Sequence, residues 1–171
     1  MAKTMALLII DVQKGLFERS NPIYHADNLL DNITVLADRA GQAGAPVIAV
    51  QHTNESSLIE GSDAWQLHPR LGPIQADLIV HKRHGNAFQD TGLNQQLASR
   101  GIECVVITGL VTNGCVRATC LGARDLGYQV ILASDGHSTF HKQAARLVDE
   151  WNQKLGDLGI KICQTERIKF V

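Results

Sequence analysis

The sequence predicts a doubly wound α/β fold, and three observations carry that prediction. Short β-branched runs alternate along the chain with longer stretches of helical period. Most of these runs are continuously apolar rather than alternating, as strands covered on both faces are. The connections between them are mostly short, which favours a parallel sheet wound with right-handed crossovers.

Strands are expected over residues 6–10, 46–51, 78–81, 104–108, 129–133 and 160–163. Between the first two, Leu29, Ile33, Leu36 and Ala40 fall at i, i+4, i+7 and i+11, one stripe of a helix. Gly41 and Gly44 end that helix and Pro46 opens the next strand. Leu93 and Leu97 mark a shorter helix closed by Gly101. Residues 115–126 form a third helix, ended by Gly127. Ala144, Leu147, Val148, Trp151 and Leu155 stripe a fourth, ended by Gly156. Residues 52–75 stand apart, with weak periodicity and two prolines, Pro69 and Pro73. Irregular segments of that length in compact domains are usually lids or binding loops.

Composition narrows the class of function. The 171 residues, 44% hydrophobic and 19% charged, suit one globular domain, expected to span residues 1–171. Sixteen basic and seventeen acidic residues leave a net charge of −1, so no basic footprint gathers nucleic acid or anionic lipid. The apolar run at the N-terminus stops at Asp11, too short for a signal-peptide core or a membrane span. Cys104, Cys115, Cys120 and Cys163 form no CxxC pair, and Cys104 and Cys163 sit in apolar strand-like runs. The expectation is a cytoplasmic protein with reduced thiols, acting on a small molecule, with neither nucleic acid nor membrane as partner.

Ligand sites in open α/β sheets lie beyond the carboxyl ends of the strands. Three residues fall there. Asp11 closes the first strand in Leu8-Ile9-Ile10-Asp11-Val12-Gln13, where it fits a catalytic carboxylate or a turn residue equally well. Lys82 closes the third strand, beside Arg83 and His84, and taken alone reads as a solvated surface lysine. Cys115 follows the fourth strand after a turn built from Gly109, Thr112, Asn113 and Gly114. A cysteine in the first turn of a helix faces unpaired N–H groups and the positive end of the dipole, which favour thiolate. The same N–H groups can stabilise an oxyanion. A space-filling cysteine is the alternative, and the glycine-rich turn tilts the reading toward a nucleophile.

Metal and nucleotide chemistry lack their signatures. His81 and His84 are spaced i, i+3 and His137 and His141 i, i+4, with no HExxH and no adjacent third ligand. His52 and His68 bracket the irregular segment without announcing a site. Neither GxxxxGK[ST] nor a GxGxxG after the first strand is present. No metal and no cofactor are expected.

The combination resembles the isochorismatase-like cysteine hydrolases, the superfamily that includes nicotinamidases and N-carbamoylsarcosine amidohydrolases. The residues that carry the resemblance are Leu8-Ile9-Ile10-Asp11-Val12-Gln13, Pro46-Val47-Ile48, Lys82, Ala87-Phe88 and Gly101-Ile102. The strongest stretch is Thr108-Gly109-Leu110-Val111-Thr112-Asn113-Gly114-Cys115-Val116, followed by Thr119, Ala123, Gly127-Tyr128 and Asp135. The resemblance implies a Rossmann-like, three-layer α/β/α fold around a six-stranded parallel sheet. It implies a catalytic triad of Asp11, Lys82 and Cys115. It also implies a non-proline cis peptide at Val111–Thr112, aiming a backbone N–H into an oxyanion hole formed by Thr112 and Cys115. A homo-oligomer, dimer or tetramer, is implied as well.

The substrate is less marked. Metal-binding nicotinamidases carry an Asp-x-His cluster after the second strand, where this chain reads Gln51-His52-Thr53-Asn54. Isochorismate-cleaving members can lack the cysteine, so Cys115 favours acyl chemistry. The expected activity is hydrolysis of a small amide or related acyl compound through a thioester. Isochorismate-type vinyl ether cleavage and a non-enzymatic thiol switch or ligand-binding module are the alternatives. Phe17 is a candidate aromatic wall of the cleft, and Trp65 a candidate for closing over the ligand or joining a subunit contact.

Overall fold

Continuous apolar runs become the middle of a sheet. The computed structural model describes residues 4–171 and arranges them as β1 (Met5–Ile10), α1 (Lys14–Phe17), α2 (Ala26–Gln42), β2 (Val47–His52), β3 (Leu78–Lys82), α3 (Leu93–Ser99), β4 (Cys104–Leu110), α4 (Arg117–Asp125), β5 (Gln129–Ser138), α5 (Ala144–Asp157) and β6 (Lys161–Cys163). The six strands pair in parallel throughout, in the order β3-β2-β1-β4-β5-β6. Every residue of β1 and β4 is buried, because these two strands are central and covered on both sides.

Alternation along β1 divides the core in two. Leu7 and Ile9 face the stripe of α2, including Leu29, Ile33, Leu36 and Ala40, together with Ile168 and Phe170 of the C-terminal tail. Ala6, Leu8 and Ile10 face the opposite layer, which holds Leu93 and Leu97 of α3, Cys120 and Ala123 of α4, and Leu155 of α5. The result is the three-layer α/β/α arrangement. Strand order reverses between β1 and β4, so the carboxyl ends of these strands border the crevice where such sheets bind ligands. Among the described residues no helix is long and apolar enough to cross a membrane.

The irregular segment after β2 is not a free flap. Its backbone is laced to the chain leaving β1: Lys14 N–H donates to Gln66 O, Gly15 N–H to Ala64 O, and His68 N–H to Val12 O, at 2.8–2.9 Å. Leu58, Trp65 and Leu71 from this segment are buried.

Two stretches differ from the periodicity-based expectation. β4 and β5 run past residues 108 and 133 to Leu110 and Ser138, across a register shift that pairs Gly109 with His137 and Leu110 with Ser138. Gly109 has φ +120, and a Cβ there would lie 2.1 Å from the carbonyl oxygen of Ile10. Only glycine permits that approach of β4 to β1. Gly109→Ala is therefore expected to cost about 3 kcal/mol or more, read as a lowered denaturation midpoint. The second difference concerns the helix expected over 115–126. Regular α4 begins only at Arg117, and Thr112–Val116 form a π-helical turn with a break at Gly114.

Candidate active site

Three strand ends converge. Asp11 follows β1, Lys82 ends β3, and Cys115 sits in the π-helical turn after β4. Asp11 has φ 53, a left-handed conformation that Asp tolerates better than most residues, and its carbonyl accepts from Gln13 N–H at 2.9 Å. Gln13 in turn clamps the end of β2, accepting from His52 N–H at 2.8 Å and donating to His52 O at 3.0 Å.

Lys82 occupies the centre. It is 1% exposed, and its ammonium lies 3.1 Å from Asp11 Oδ2, 3.1 Å from Cys115 Sγ, 2.9 Å from His52 Nδ1 and 3.1 Å from the carbonyl oxygen of His84. The lysine that, taken alone, reads as a surface residue is buried with all its donors engaged. Asp11 is 2% exposed, and its Oδ1 is buried with no hydrogen-bond partner among the described residues.

Burial governs the charges. It pushes the Asp11 carboxyl above the ordinary carboxylate range, against the opposing pull of Lys82. It pushes the Cys115 thiol up to about 12, aided by the negative charge of Asp11 and opposed by Lys82. The resting cysteine is thus a thiol. The expected thiolate rested on a helix N-terminus, but Cys115 precedes the first turn of regular α4, and desolvation and Asp11 set the direction of its shift. His52 is held below its usual range by burial and then by Lys82, so the neutral ring accepts at Nδ1 and carries its proton on Nε2.

Asp11, His52 and Cys115 offer an oxygen, a nitrogen and a sulfur within 4.8 Å of one another, the only such grouping among the described residues. These donors do not fit a metal ion. The Lys82 ammonium already lies within hydrogen-bond distance of all three residues, where a cation would sit. The other histidines are dispersed: His81 lies near Glu60, His84 pairs with Asp90, His68 packs on Phe17, and His141 accepts from Gln143 N–H.

The turn before Cys115 is braced from below. Val111 O accepts from Gly114 N–H at 3.0 Å and from Val116 N–H at 3.2 Å. That carbonyl belongs to the Val111–Thr112 peptide, which opens the turn in the trans form. The non-proline cis bond is at Leu110–Val111, one residue before the expected Val111–Thr112, at the end of β4 where sheet pairing stops. The Thr112 hydroxyl meets His137 Nδ1 at 2.8 Å, and His137 Nε2 meets Asn152 Oδ1 at 2.8 Å. Asn152 Nδ2 donates to Ser134 O, so its Oδ1 accepts from His137 Nε2–H. Burial holds His137 neutral, leaving Nδ1 to accept from Thr112. Position in the sequence gives no hint of this Thr112–His137–Asn152 chain, because its members come from the turn, β5 and α5.

A cavity of 210 Å³ opens beside Cys115. Asp11, His52, Asn54 and Arg19 supply its other polar lining. Its apolar walls are Leu16, Leu58, Val111 and Phe140. Neither Phe17 nor Trp65 is among the lining residues. Leu16 faces the cavity, and Phe17, one residue and about 100° further round α1, packs against His68 with the rings tilted and their centroids 4.5 Å apart. Trp65 is buried, its indole N–H donating to Thr53 Oγ1 at 3.0 Å and its carbonyl accepting from Gln13 and Gln51. Phe140 and Arg19 lack any strand-end signal, while His52 has one, since it pairs with Lys82 at the ends of β2 and β3.

The isochorismatase domain profile matches residues 5–151. A streptothricin hydrolase of Streptomyces noursei is 32% identical over 82% of this chain and 51% of its own length. The chain thus spans about half the length of the first curated relatives it matches. Nicotinamidase 3 of Arabidopsis thaliana is 26% identical, over 83% of this chain and 77% of its own. The crystal structure of a candidate isochorismatase from Burkholderia xenovorans LB400 superposes with a TM-score of 0.90 at 28% identity, covering 97% of this chain and 86% of that one. The chain belongs to the isochorismatase family.

Proposed function

We propose that the protein hydrolyses a C–N bond of a small amide, or a related acyl compound, through a thioester on Cys115. The observation that carries this reading is the Lys82 ammonium held 3.1 Å from both Asp11 Oδ2 and Cys115 Sγ. Moving the thiol proton to Asp11 exchanges one anion beside Lys82 for another. The buried site keeps its net charge, and no isolated ion is created in low dielectric. Asp11 Oδ1, which lacks a donor among the described residues, is the atom that takes the proton.

Cys115 Sγ then bonds to the carbonyl carbon while the carbonyl π electrons move to oxygen. The backbone N–H of Cys115 receives that oxyanion together with that of Val111, which lines the cavity where the expected Thr112 does not; the N–H groups of Gly114 and Val116 are engaged by Val111 O. The oxyanion collapses, the C–N bond breaks, and Asp11 returns its proton to the leaving nitrogen. Water attacks the thioester with Asp11 again as base, the C–S bond breaks, and the acid departs as the thiol is reformed. Covalent catalysis divides one hard substitution into two easier steps. Similarity to a nicotinamidase, whose name denotes an amide substrate, supports the same class.

The test is a panel of small amides with rapid acid quenching and mass spectrometry of the Cys115 peptide. An acyl adduct on Cys115, absent from Cys115→Ala together with turnover, is expected. Turnover should also survive dialysis against a strong chelator, with no gain on adding zinc. Turnover by Cys115→Ala would remove the thioester route, and cleavage of vinyl ethers instead of amides by that variant would establish the isochorismate-type alternative.

A further inference from the structure

The hydrogen-bonding character of the cavity specifies what enters it. Arg19 lines the cavity with its guanidinium carbon 4.6 Å above the ring centroid of Phe140. Stacking on an aromatic face holds the guanidinium plane and leaves its in-plane N–H groups open. Among the described residues Arg19 has no hydrogen-bond or ion-pair partner, its chain neighbour Glu18 included.

The other polar groups are donors too. Asn54 Oδ1 is spent accepting from the N–H groups of Ser56, Ser57 and Leu58 at 2.8–3.0 Å. Its Nδ2 donates to Ser57 Oγ at 3.2 Å and keeps a second N–H. His52 accepts from Lys82 at Nδ1, so Nε2 carries a proton, with no acceptor among the described residues. The one charged acceptor in the cavity, Asp11, is bonded to Lys82 through Oδ2, and its unpartnered Oδ1 is the atom assigned to the thiol proton. A lining of free donors around a single unpaired cation suits an acceptor-rich anion. The 210 Å³ volume is below the roughly 300–1,000 Å³ of drug-sized ligand sites, so the anion belongs to a small molecule.

We infer that the substrate is a small amide bearing a second, carboxylate group, and that Arg19 on its Phe140 platform binds this carboxylate and sets specificity. The inference rests on the amide-hydrolase reading for the word amide, but not for the carboxylate site. Half-amides of short dicarboxylic acids, succinamate and glutaramate, serve as probes beside the neutral diamides succinamide and glutaramide. Two readouts are taken: hydrolysis, and protection of Cys115 from alkylation by iodoacetamide, followed on its peptide by mass spectrometry.

Wild type should be protected at concentrations about tenfold lower by at least one half-amide than by its diamide, and Arg19→Gln should bring the pair within about twofold. Arg19→Glu should invert the preference. Arg19 is exposed, so both variants are expected to keep the wild-type melting profile. Equal protection at both chain lengths, protection by none of the four, or a preference that survives Arg19→Gln would overturn the inference. Selective protection without hydrolysis of any probe would remove the amidase reading and leave the carboxylate site standing. Hydrolysis without preference would do the reverse.

Discussion

Asp11→Asn should slow hydrolysis by about 10²–10⁴-fold while making Cys115 alkylate faster at neutral pH. The two effects diverge because Asp11 acts on the thiol in two ways. Its negative charge helps hold the thiol up to about 12, with Lys82 pulling the other way. With asparagine in place, that repulsion is gone and the thiolate becomes the counter-ion of the Lys82 ammonium 3.1 Å away. Alkylation needs only a thiolate and speeds up. Hydrolysis also needs a group that carries the thiol proton to the leaving nitrogen and later takes one from water, and asparagine does neither.

The same reasoning gives the pH profile of wild type. Burial raises the Asp11 carboxyl from 3.8, so kcat/KM should increase with pH through an apparent pKa above that value, one belonging jointly to the Asp11–Cys115 pair. An Asp11→Asn enzyme that kept near-wild-type kcat/KM, or whose thiol alkylated more slowly, would contradict the role assigned to Asp11.

The readable parts of the molecule are those dictated by local pattern. The run Met5–Ile10 is apolar at every position because β1 is covered on both faces, and its end locates Asp11 without further information. The α2 stripe is legible because an amphipathic helix repeats its burial every turn. Lys82 resists such reading. A lysine after a strand is ordinarily solvated, and only the convergence of β1, β2, β3 and the turn after β4 buries it. The ends of β4 and β5 are hidden for a different reason. Gly109, Asp135 and Gly136 are poor strand formers, yet sheet pairing continues across the bulge because Gly109 permits a backbone approach that a Cβ would block. Arg19 and Phe140 meet across more than a hundred residues of chain, so the one cation without an acid partner in the cavity is visible only in three dimensions.

Lys82→Met should move both readouts of Cys115 downward, unlike Asp11→Asn. Removing the ammonium takes away the attraction that lowers both the Asp11 carboxyl and the Cys115 thiol. Alkylation at neutral pH and hydrolysis should fall together. Stability should fall as well, since breaking a buried pair by deleting one partner strands the other and typically costs about 3–5 kcal/mol. The size of that loss should depend on pH. In the variant Asp11 titrates still higher in the folded chain than in the unfolded one, so the folded state holds the extra proton across the interval between the two pKa values. Stability then decreases as pH rises through that interval, and the deficit against wild type shrinks as pH is lowered toward the ordinary carboxylate range. Denaturant midpoints of wild type and variant, compared from acid to neutral pH, measure the trend. A deficit independent of pH would mean that Asp11 does not depend on Lys82 for its charge, and faster alkylation of Cys115 in Lys82→Met would remove the ammonium from the thiolate's environment.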